Sequence, residues 1–248
     1  MICLKRSVAV QEAANVKMNT MMKNRAPRLC AVAFDMDGVL LSTDKLHFKA
    51  WQVVTRRWGI PFTEADNTRL LGLSREDCVN IVLSKSPRAF SAKERAAISD
   101  EKNALFRTHI DAMTPDFVAP EVFACLRTLR AAGWKLALAS SSRNAPLILD
   151  RTGLRAYFDA TVDGNDITRG KPDPEVFVKA AEALGVPPAA CAAVDDAPAG
   201  IASATAAGMT AIAVGEAAKR HAAPYSISGL AELPALLDRL NGERDAAR

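Results

Sequence analysis

The sequence predicts an α/β protein in which helices cover a parallel sheet. Four short apolar runs, at residues 29–34, 135–139, 192–194 and 211–214, end in small or polar residues, as buried strands that lead into functional loops do. Helix-length patterns lie between most of these runs, and strands that alternate with helices form βαβ units with parallel strands. Residues 44–116 interrupt the alternation with a long segment that is helical in pattern throughout. We therefore expect a parallel-sheet core with a helical insert directly after its first strand.

Five helices are expected in the segments that follow the insert. Their predicted ranges are 120–132, 145–152, 174–184, 198–207 and 230–240. Proline stands near several of the starts, and Gly133, Gly185 and Gly208 stand near the ends. Proline favours the first turn of a helix and glycine the position after the last, so both residue types support these boundaries.

The position of the insert predicts a division into domains. We expect a core domain formed by residues 29–43 and 117–248, and a helical cap domain formed by residues 44–116 that covers the active site. Residues 1–28 carry six basic residues against one acidic residue, and we expect them to form a disordered leader.

Composition and charge argue against several classes of function. Outside the leader the chain carries 26 basic and 27 acidic residues, so its pI of 8.9 does not indicate a nucleic-acid-binding face. No apolar run could span a bilayer, and the first residues lack the apolar region of a secretory signal. We expect a cytoplasmic monomer that acts on a small molecule, without a nucleic-acid or membrane partner.

The five cysteines are scattered and show no CxxC spacing, which argues against a disulfide framework and against a zinc site. Three of them lie among alanine, valine and leucine residues, and we expect these three in the core as small apolar side chains. They are Cys30, Cys125 and Cys191.

The most informative motif is Phe34-Asp35-Met36-Asp37-Gly38, in which an apolar run ends in two carboxylates. Isolated Asp-x-Asp pairs are common, and most serve as loop acids or helix N-caps. Here the strand pattern before the pair and the glycine after it place both carboxylates at a strand end, where open α/β sheets bind ligands. Their mutual repulsion would be relieved by a hard divalent cation such as Mg²⁺. One carboxylate could attack phosphorus while the other transfers a proton.

The second run also ends in a polar motif, with three serines before Arg143 and Asn144. Hydroxyl and backbone N–H groups at a helix N-terminus can bind an anion, although a single serine would suffice as an N-cap. The serines are Ser140, Ser141 and Ser142.

Two further motifs carry charge. Lys171 precedes Pro172-Asp173-Pro174, which would fix the loop so that the ammonium could offset phosphate charge, although most lysines are simply exposed. Asp195 and Asp196 end the third run, and a second carboxylate pair at a strand end would complete a metal site.

These four motifs, in this order, resemble those of the haloacid dehalogenase-like (HAD) superfamily over roughly residues 29–240. The resemblance implies a Rossmann-like parallel sheet with a helical cap. It implies that Asp35 is the nucleophile that becomes an aspartyl-phosphate and that Asp37 is the general acid/base. Ser140 and Lys171 would hold the transferring phosphoryl group. The implied Mg²⁺ ligands are Asp35, the Asp37 backbone carbonyl, Asp195 and Asp196.

Three motifs in the insert and one in the core resemble the β-phosphoglucomutase family within this superfamily. They are His47-Phe-Lys-Ala-Trp51, Gly72-Leu-Ser-Arg-Glu-Asp77, Lys102-Asn103 and Ala139-Ser-Ser-Ser-Arg-Asn144. Arg75 matches an arginine that grips the phosphate that is not being transferred. His47 and Lys102 match residues that couple cap closure to placement of the acid/base. The implied substrate-binding residues are His47, Trp51, Gly72, Leu73, Ser74, Arg75, Lys102, Ser140, Ser141, Ser142, Arg143, Asn144 and Lys171.

The resemblance implies a phosphomutase that interconverts β-D-glucose 1-phosphate and glucose 6-phosphate, with glucose 1,6-bisphosphate as primer and intermediate. Asp37 argues against a dehalogenase, because a sugar oxygen needs an acid to leave and a halide does not. The alternative is a small sugar-phosphate or phosphoglycolate phosphatase, which explains the core motifs but not His47, Arg75 and Lys102. A non-enzymatic binding module is the other alternative, but such a protein would not need to keep Asp35, Asp37, Lys171 and Asp196 together. Cys78 and Asp195 depart from the family's usual serine and glutamate, which bears on sugar specificity.

Overall fold

The structure, a computed structural model, describes residues 26–70 and 73–246. Its strands are β1 (Ala31–Phe34), β2 (Lys135–Ala139), β3 (Ala160–Val162), β4 (Cys191–Asp195), β5 (Thr210–Ala213) and β6 (Tyr225–Ser226). They form one sheet in the order β3-β2-β1-β4-β5-β6, in which all neighbours are parallel. The predicted α/β core is therefore confirmed. The four predicted runs correspond to β1, β2, β4 and β5, and the two shortest strands of this sheet, β3 and β6, were not predicted.

The strand order places β1 between β2 and β4, and the chain runs outward from β1 to both sides. Such a reversal of strand order is the switch point at which open α/β sheets bind ligands. Phe34 is in register with Leu138 of β2 and Val194 of β4, and the backbone N–H of Asp35 donates to the Val194 carbonyl at 2.9 Å. The acidic ends of β1 and β4 are therefore side by side.

Between β1 and β2, the described residues before Pro115 form four α-helices, which make up a helical cap. They are α1 (Asp44–Arg57), α2 (Glu64–Thr68), α3 (Arg75–Leu83) and α4 (Ala92–Asp111). The cap has an apolar core of its own, which includes Trp51, Val54, Val79 and Ile98. The helical insert after the first strand is thus confirmed, while the division at residues 43/44 and 116/117 stays a prediction.

Six further α-helices of the described residues surround the sheet. They are α5 (Pro120–Ala131), α6 (Ala145–Thr152), α7 (Glu175–Leu184), α8 (Pro198–Ala206), α9 (Gly215–Lys219) and α10 (Leu233–Ala246). The predicted helix over 230–240 differs most from the structure, because Leu230–Glu232 is a 3-10 turn and α10 continues to Ala246. The short α9 was not predicted.

The first strand is anchored at its amino end by α10. The Asn241 side chain accepts from the Leu29 N–H at 2.8 Å and donates to the Leu29 carbonyl at 3.0 Å, as the backbone of a neighbouring strand would.

Of the predicted basic leader, residues 1–25 lie outside the described residues. Cys125 and Cys191 are buried as expected, but Cys30 is exposed, so its predicted core position is wrong. Cys30 alternates with buried Leu29 and Ala31 ahead of the strand proper. No helix within the described ranges is long and apolar enough to cross a bilayer.

The two faces of the sheet differ in side-chain size. On β2, Leu136 and Leu138 point into one apolar cluster, while Ala137 and Ala139 point into the other. The cluster on the alanine side includes Phe177 of α7. Because successive side chains of a strand point to opposite faces, the alternation of large and small residues sets a different helix-to-sheet spacing on each side.

We predict that Ala137→Leu destabilises the protein by about 1–3 kcal/mol, because the alanine face has no room for three more carbon atoms. Leu138→Ala on the other face should cost about 2–5 kcal/mol through the cavity it leaves. Urea unfolding of both variants measures these costs. Leu138→Met is the matched control and should cost less than about 1.5 kcal/mol, since it conserves volume. An Ala137→Leu protein as stable as the wild type would contradict the close packing of this face.

Candidate active site

A cavity of about 670 Å³ lies between the carboxyl ends of the strands and the cap. Core residues that line it include Asp35, Asp37 and Lys171, and cap residues include Arg75 and Lys102. The cavity therefore brings together charged residues that are far apart in the sequence.

Asp35 lies at the end of β1, where Lys171 meets it. The Lys171 ammonium donates to Asp35 Oδ1 at 2.5 Å and to Asp195 Oδ2 at 2.7 Å, and its side chain is only 6% exposed. Burial opposes the charge of Lys171, yet the charges of Asp195 and Asp35 raise its pKa, so the ammonium stays protonated. Lys171 is therefore a buried cation held against Asp35, and its predicted role toward a phosphoryl group stays a prediction.

The loop that presents Lys171 is organised by Glu175 at the start of α7. The Glu175 carboxylate accepts from the Thr168 N–H at 3.0 Å, from the Thr168 hydroxyl at 2.9 Å and from the Arg169 N–H at 2.8 Å. These hydrogen bonds fix the backbone two residues before Lys171. The Lys171–Pro172 peptide bond is cis.

Asp37 points to a different partner from Asp35. Its Oδ1 accepts from the Thr43 N–H at 2.9 Å and from the Thr43 hydroxyl at 2.5 Å. Thr43 is completely buried and stands immediately before α1, but its hydroxyl serves Asp37 rather than capping the helix. Burial raises the pKa of Asp37, while the two hydrogen bonds from Thr43 act against that rise. The arrangement suits a carboxyl group that gains and loses a proton.

Three carboxylates form a candidate metal centre, which we call the acid cluster. One oxygen atom from each of Asp35, Asp195 and Asp196 lies within 4.8 Å of the others. Burial raises the pKa of Asp35 to about 8, with Lys171 opposing and Asp195 reinforcing the shift. Burial, reinforced by Asp195, raises the pKa of Asp196 to about 7. Buried oxygen ligands that repel one another are a donor set that fits a hard divalent cation. The Asp37 side chain is not part of this cluster.

Two glycines make room for the acid cluster. A Cβ atom on Gly38 would lie 2.0 Å from Asp196 Oδ2, and a Cβ atom on Gly200 would lie 1.9 Å from Asp195 Oδ2. Gly38 also has a φ of +81°, in the left-handed region. The turn after Asp37 and the start of α8 can therefore approach the carboxylates only because neither residue has a side chain.

The loop after β2 is held in a compact turn. The Ser140 hydroxyl accepts from the Ser142 N–H at 3.2 Å, and the Ser142 hydroxyl accepts from the Asn144 N–H at 3.3 Å. Ser141 Oγ is buried without a hydrogen-bond partner, so it has a donor and lone pairs left for another group. Arg143 is exposed and lines the cavity. The serines thus shape the loop as well as offering polar groups.

On the cap side, His47 and Lys102 lie in direct contact. Lys102 Nζ lies 2.5 Å from His47 Nδ1, and the imidazole stacks on Phe106 with ring centroids 3.9 Å apart. Burial, together with the charges of Lys102 and Arg75, lowers the pKa of His47 well below its usual value, so the ring is neutral. Burial lowers the pKa of Lys102 to about 8. Lys102 also lies over the ring of Trp51, 5.4 Å from its centroid.

The remaining predicted cap residues fall into three groups. Arg75 reaches the cavity from the first turn of α3 and donates to Asn103 Oδ1 at 2.9 Å. Ser74 caps that helix by accepting from the Asp77 N–H, and exposed Leu73 lines the cavity. Gly72 lies outside the described residues.

Three residues of this region were not predicted as functional: Thr43, Gly164 and Gly200. Asn103 belongs to a motif that carries the family resemblance, but the sequence assigns it no role. Gly164 follows β3, and a Cβ atom there would lie 2.4 Å from the Ser141 carbonyl. Thr43 before a helix pattern reads as an ordinary N-cap, and the glycines read as ordinary turns. Only the three-dimensional proximity distinguishes them.

Comparisons with known proteins show which family this chain resembles. The haloacid dehalogenase-like hydrolase family matches residues 30–208. A β-phosphoglucomutase of Bacillus subtilis is 40% identical over 188 residues, which cover 75% of this chain and 83% of the relative. A phosphatase of phosphorylated carbohydrates from Thermotoga maritima is 32% identical over 182 residues, 72% of this chain and 82% of the relative.

A solved structure of β-phosphoglucomutase from Clostridium difficile superposes with a TM-score of 0.80 at 28% identity, covering 89% of this chain and 100% of that one. The family match spans most of the chain, and both the mutase and the phosphatase relatives exceed 30% identity over more than two thirds of it. The protein therefore belongs to the haloacid dehalogenase-like hydrolase family.

Proposed function

We propose that this protein is a Mg²⁺-dependent β-phosphoglucomutase, which interconverts β-D-glucose 1-phosphate and glucose 6-phosphate. The observation that carries the proposal is the presence of two separate cationic groups in one cavity. Lys171 lies at Asp35, and Arg75 and Arg143 approach from the cap and from the core. A mutase has to bind two phosphates at once, because its bisphosphate intermediate carries one at each end. The similarity to two proteins named β-phosphoglucomutase supports the same function.

The acid cluster would hold the Mg²⁺ ion, with the Asp37 backbone carbonyl as a further proposed ligand. Bound there, the ion would offset the negative charge of the carboxylates and of the phosphoryl group. Lys171 would neutralise Asp35 and a phosphoryl oxygen from the other side.

In the forward direction, phosphorylated Asp35 gives its phosphoryl group to the C6 oxygen of β-glucose 1-phosphate. The bond between phosphorus and the Asp35 oxygen breaks as the bond to O6 forms, and Asp37 takes the proton of the C6 hydroxyl. The products are β-glucose 1,6-bisphosphate and the free Asp35 carboxylate. The hydrogen bonds from Thr43 hold Asp37 in place for this proton transfer.

The bisphosphate then binds in the opposite orientation, with its C1 phosphate at Asp35. Asp35 attacks that phosphorus, the bond between phosphorus and O1 breaks, and Asp37 returns its proton to O1. Glucose 6-phosphate leaves, and Asp35 is phosphorylated again. In each half-reaction the phosphate that is not transferred would bind Arg75 together with Arg143 and Asn144, which suits the forked donors of a guanidinium.

A small sugar-phosphate phosphatase is the alternative, and the similarity to the Thermotoga maritima phosphatase favours it. It would use the same aspartyl-phosphate, with water in place of the sugar hydroxyl as the acceptor. Arg75 would then only screen substrates.

We further propose that the protein is a cytoplasmic monomer, with its domains divided at residues 43/44 and 116/117.

We predict that Asp35→Asn abolishes phosphorylation of the protein, because the amide cannot act as the nucleophile. Asp37→Asn should still become phosphorylated by acetyl phosphate but should lower kcat by about 10²–10⁴-fold, as loss of a general acid/base does. Rapid-quench labelling and steady-state turnover measure the two effects. The matched control is Asp111→Asn, an exposed carboxylate paired with Arg151, which should change neither. Labelling of the Asp35→Asn protein would contradict the assignment of the nucleophile.

The mutase and the phosphatase are distinguished by their products. With Mg²⁺ and a trace of glucose 1,6-bisphosphate, we expect glucose 6-phosphate from β-glucose 1-phosphate, little free phosphate, and no turnover of the α-anomer. A coupled dehydrogenase assay and a phosphate assay on the same sample measure both products. Phosphate release without glucose 6-phosphate would establish the phosphatase instead.

A further inference from the structure

Three polar side chains form a continuous hydrogen-bonded chain across the cleft between the cap and the sheet. Arg75 Nη2 donates to Asn103 Oδ1 at 2.9 Å, and Asn144 Nδ2 donates to the same oxygen at 3.0 Å. Arg75 and Asn103 belong to the cap helices α3 and α4, whereas Asn144 follows β2 in the core. All three residues are partly buried and line the cavity. One amide oxygen thus joins a cap cation to the core loop.

Arg75 lies near other positive charges, and its hydrogen-bond partner Asn103 is uncharged. Burial, together with the charges of Arg143 and Arg107, lowers the pKa of Arg75, and Asp100 opposes this shift from a distance. Within residues 26–70 and 73–246, no carboxylate forms an ion pair with Arg75. The guanidinium therefore keeps its full positive charge in a partly desolvated position.

An amide oxygen has two lone pairs, and here both are used, one by the cap and one by the core. A guanidinium has five N–H donors, so four remain for an anion. A carboxylate in the place of Asn103 would orient Arg75 equally well, but it would cancel the charge that an anionic ligand needs. The uncharged Asn103 oxygen therefore orients the Arg75 guanidinium and leaves its positive charge available to an anionic ligand.

We propose that Asn103 is a positioning residue that couples Arg75 of the cap to the phosphate-binding loop of the core. This inference rests on the proposed function, because it assigns Arg75 and the loop to the phosphate that is not transferred. Asn103 does not touch the reacting atoms. It sets the distance between the two halves of the second phosphate site when the cap is closed.

The test compares two phosphoryl donors that differ in the second phosphate. Glucose 1,6-bisphosphate needs both phosphate sites, whereas acetyl phosphate needs only the site at Asp35. For Asn103→Ala we expect kcat/KM for phosphorylation of the protein by the bisphosphate to fall at least tenfold, mostly through KM. Phosphorylation by acetyl phosphate should change less than twofold. Equal losses with both donors, or no loss with either, would overturn the proposal.

A second variant keeps the test meaningful if alanine disturbs packing. Asn103→Asp retains an oxygen acceptor but adds a negative charge beside Arg75. We expect it to keep the wild-type melting temperature and to raise KM for the bisphosphate at least as much as Asn103→Ala. Wild-type KM in Asn103→Asp would contradict the requirement for a neutral acceptor.

A double-mutant cycle tests whether Asn103 acts through Arg75. In the Arg75→Ala background, Asn103→Ala should lower kcat/KM for the bisphosphate by less than twofold further, and full additivity would overturn the coupling. The matched control is Asn80→Ala, because Asn80 Oδ1 accepts from Arg95 at 2.6 Å within the cap alone. Asn80→Ala should keep kcat/KM for phosphorylation of the protein by either donor within twofold of the wild-type value.

Failure of the proposed function would appear differently. A wild-type protein that releases phosphate from β-glucose 1-phosphate without forming glucose 6-phosphate would not be a mutase. The comparison of bisphosphate with acetyl phosphate would still decide the role of Asn103, since it measures only phosphorylation of the protein.

Discussion

The site depends on one constraint, which is that three carboxylates must lie close together in a buried position. The parallel register of β1 and β4 forces Asp35 and Asp195 into adjacent positions, and Asp196 follows directly. Lys171 bridges the first two acids and partly offsets their repulsion. The remaining negative charge is what a divalent cation and the electrophilic phosphorus would require. Gly38 and Gly200 are required by the same crowding, because a side chain at either position would collide with Asp196 or Asp195.

The division of labour between the two halves of the molecule follows from their construction. The core supplies a rigid sheet edge, on which hydrogen bonds fix Asp35, Asp37 and Lys171. The cap supplies its cationic and aromatic groups from helices with a separate apolar core. Chemistry at phosphorus can therefore be common to mutases and phosphatases, while the cap decides whether water or a sugar hydroxyl accepts the phosphoryl group.

The sequence predicts the features that repeat a local pattern. Apolar runs that end in acids identify β1 and β4, and their positions follow from parallel pairing. The sequence does not reveal features that depend on distant residues. β3 and β6 have three and two residues, too short for a periodicity, and Cys30 lies in an apolar run but outside the strand. Thr43 gains its role only from Asp37, which folding brings near. Asn103 lies in a motif that carries the family resemblance, but its contacts with Arg75 and Asn144 cannot be read from the sequence.

The most direct test of the account is the fate of the phosphoryl group on Asp35. The protein would be labelled with ³²P-acetyl phosphate, separated from the donor, and mixed with β-glucose 1-phosphate and Mg²⁺ in a quench-flow instrument. The account predicts that the label appears in glucose bisphosphate much faster than it is lost to water in the absence of sugar. Label that passes to free phosphate at the same rate with and without the sugar would contradict it.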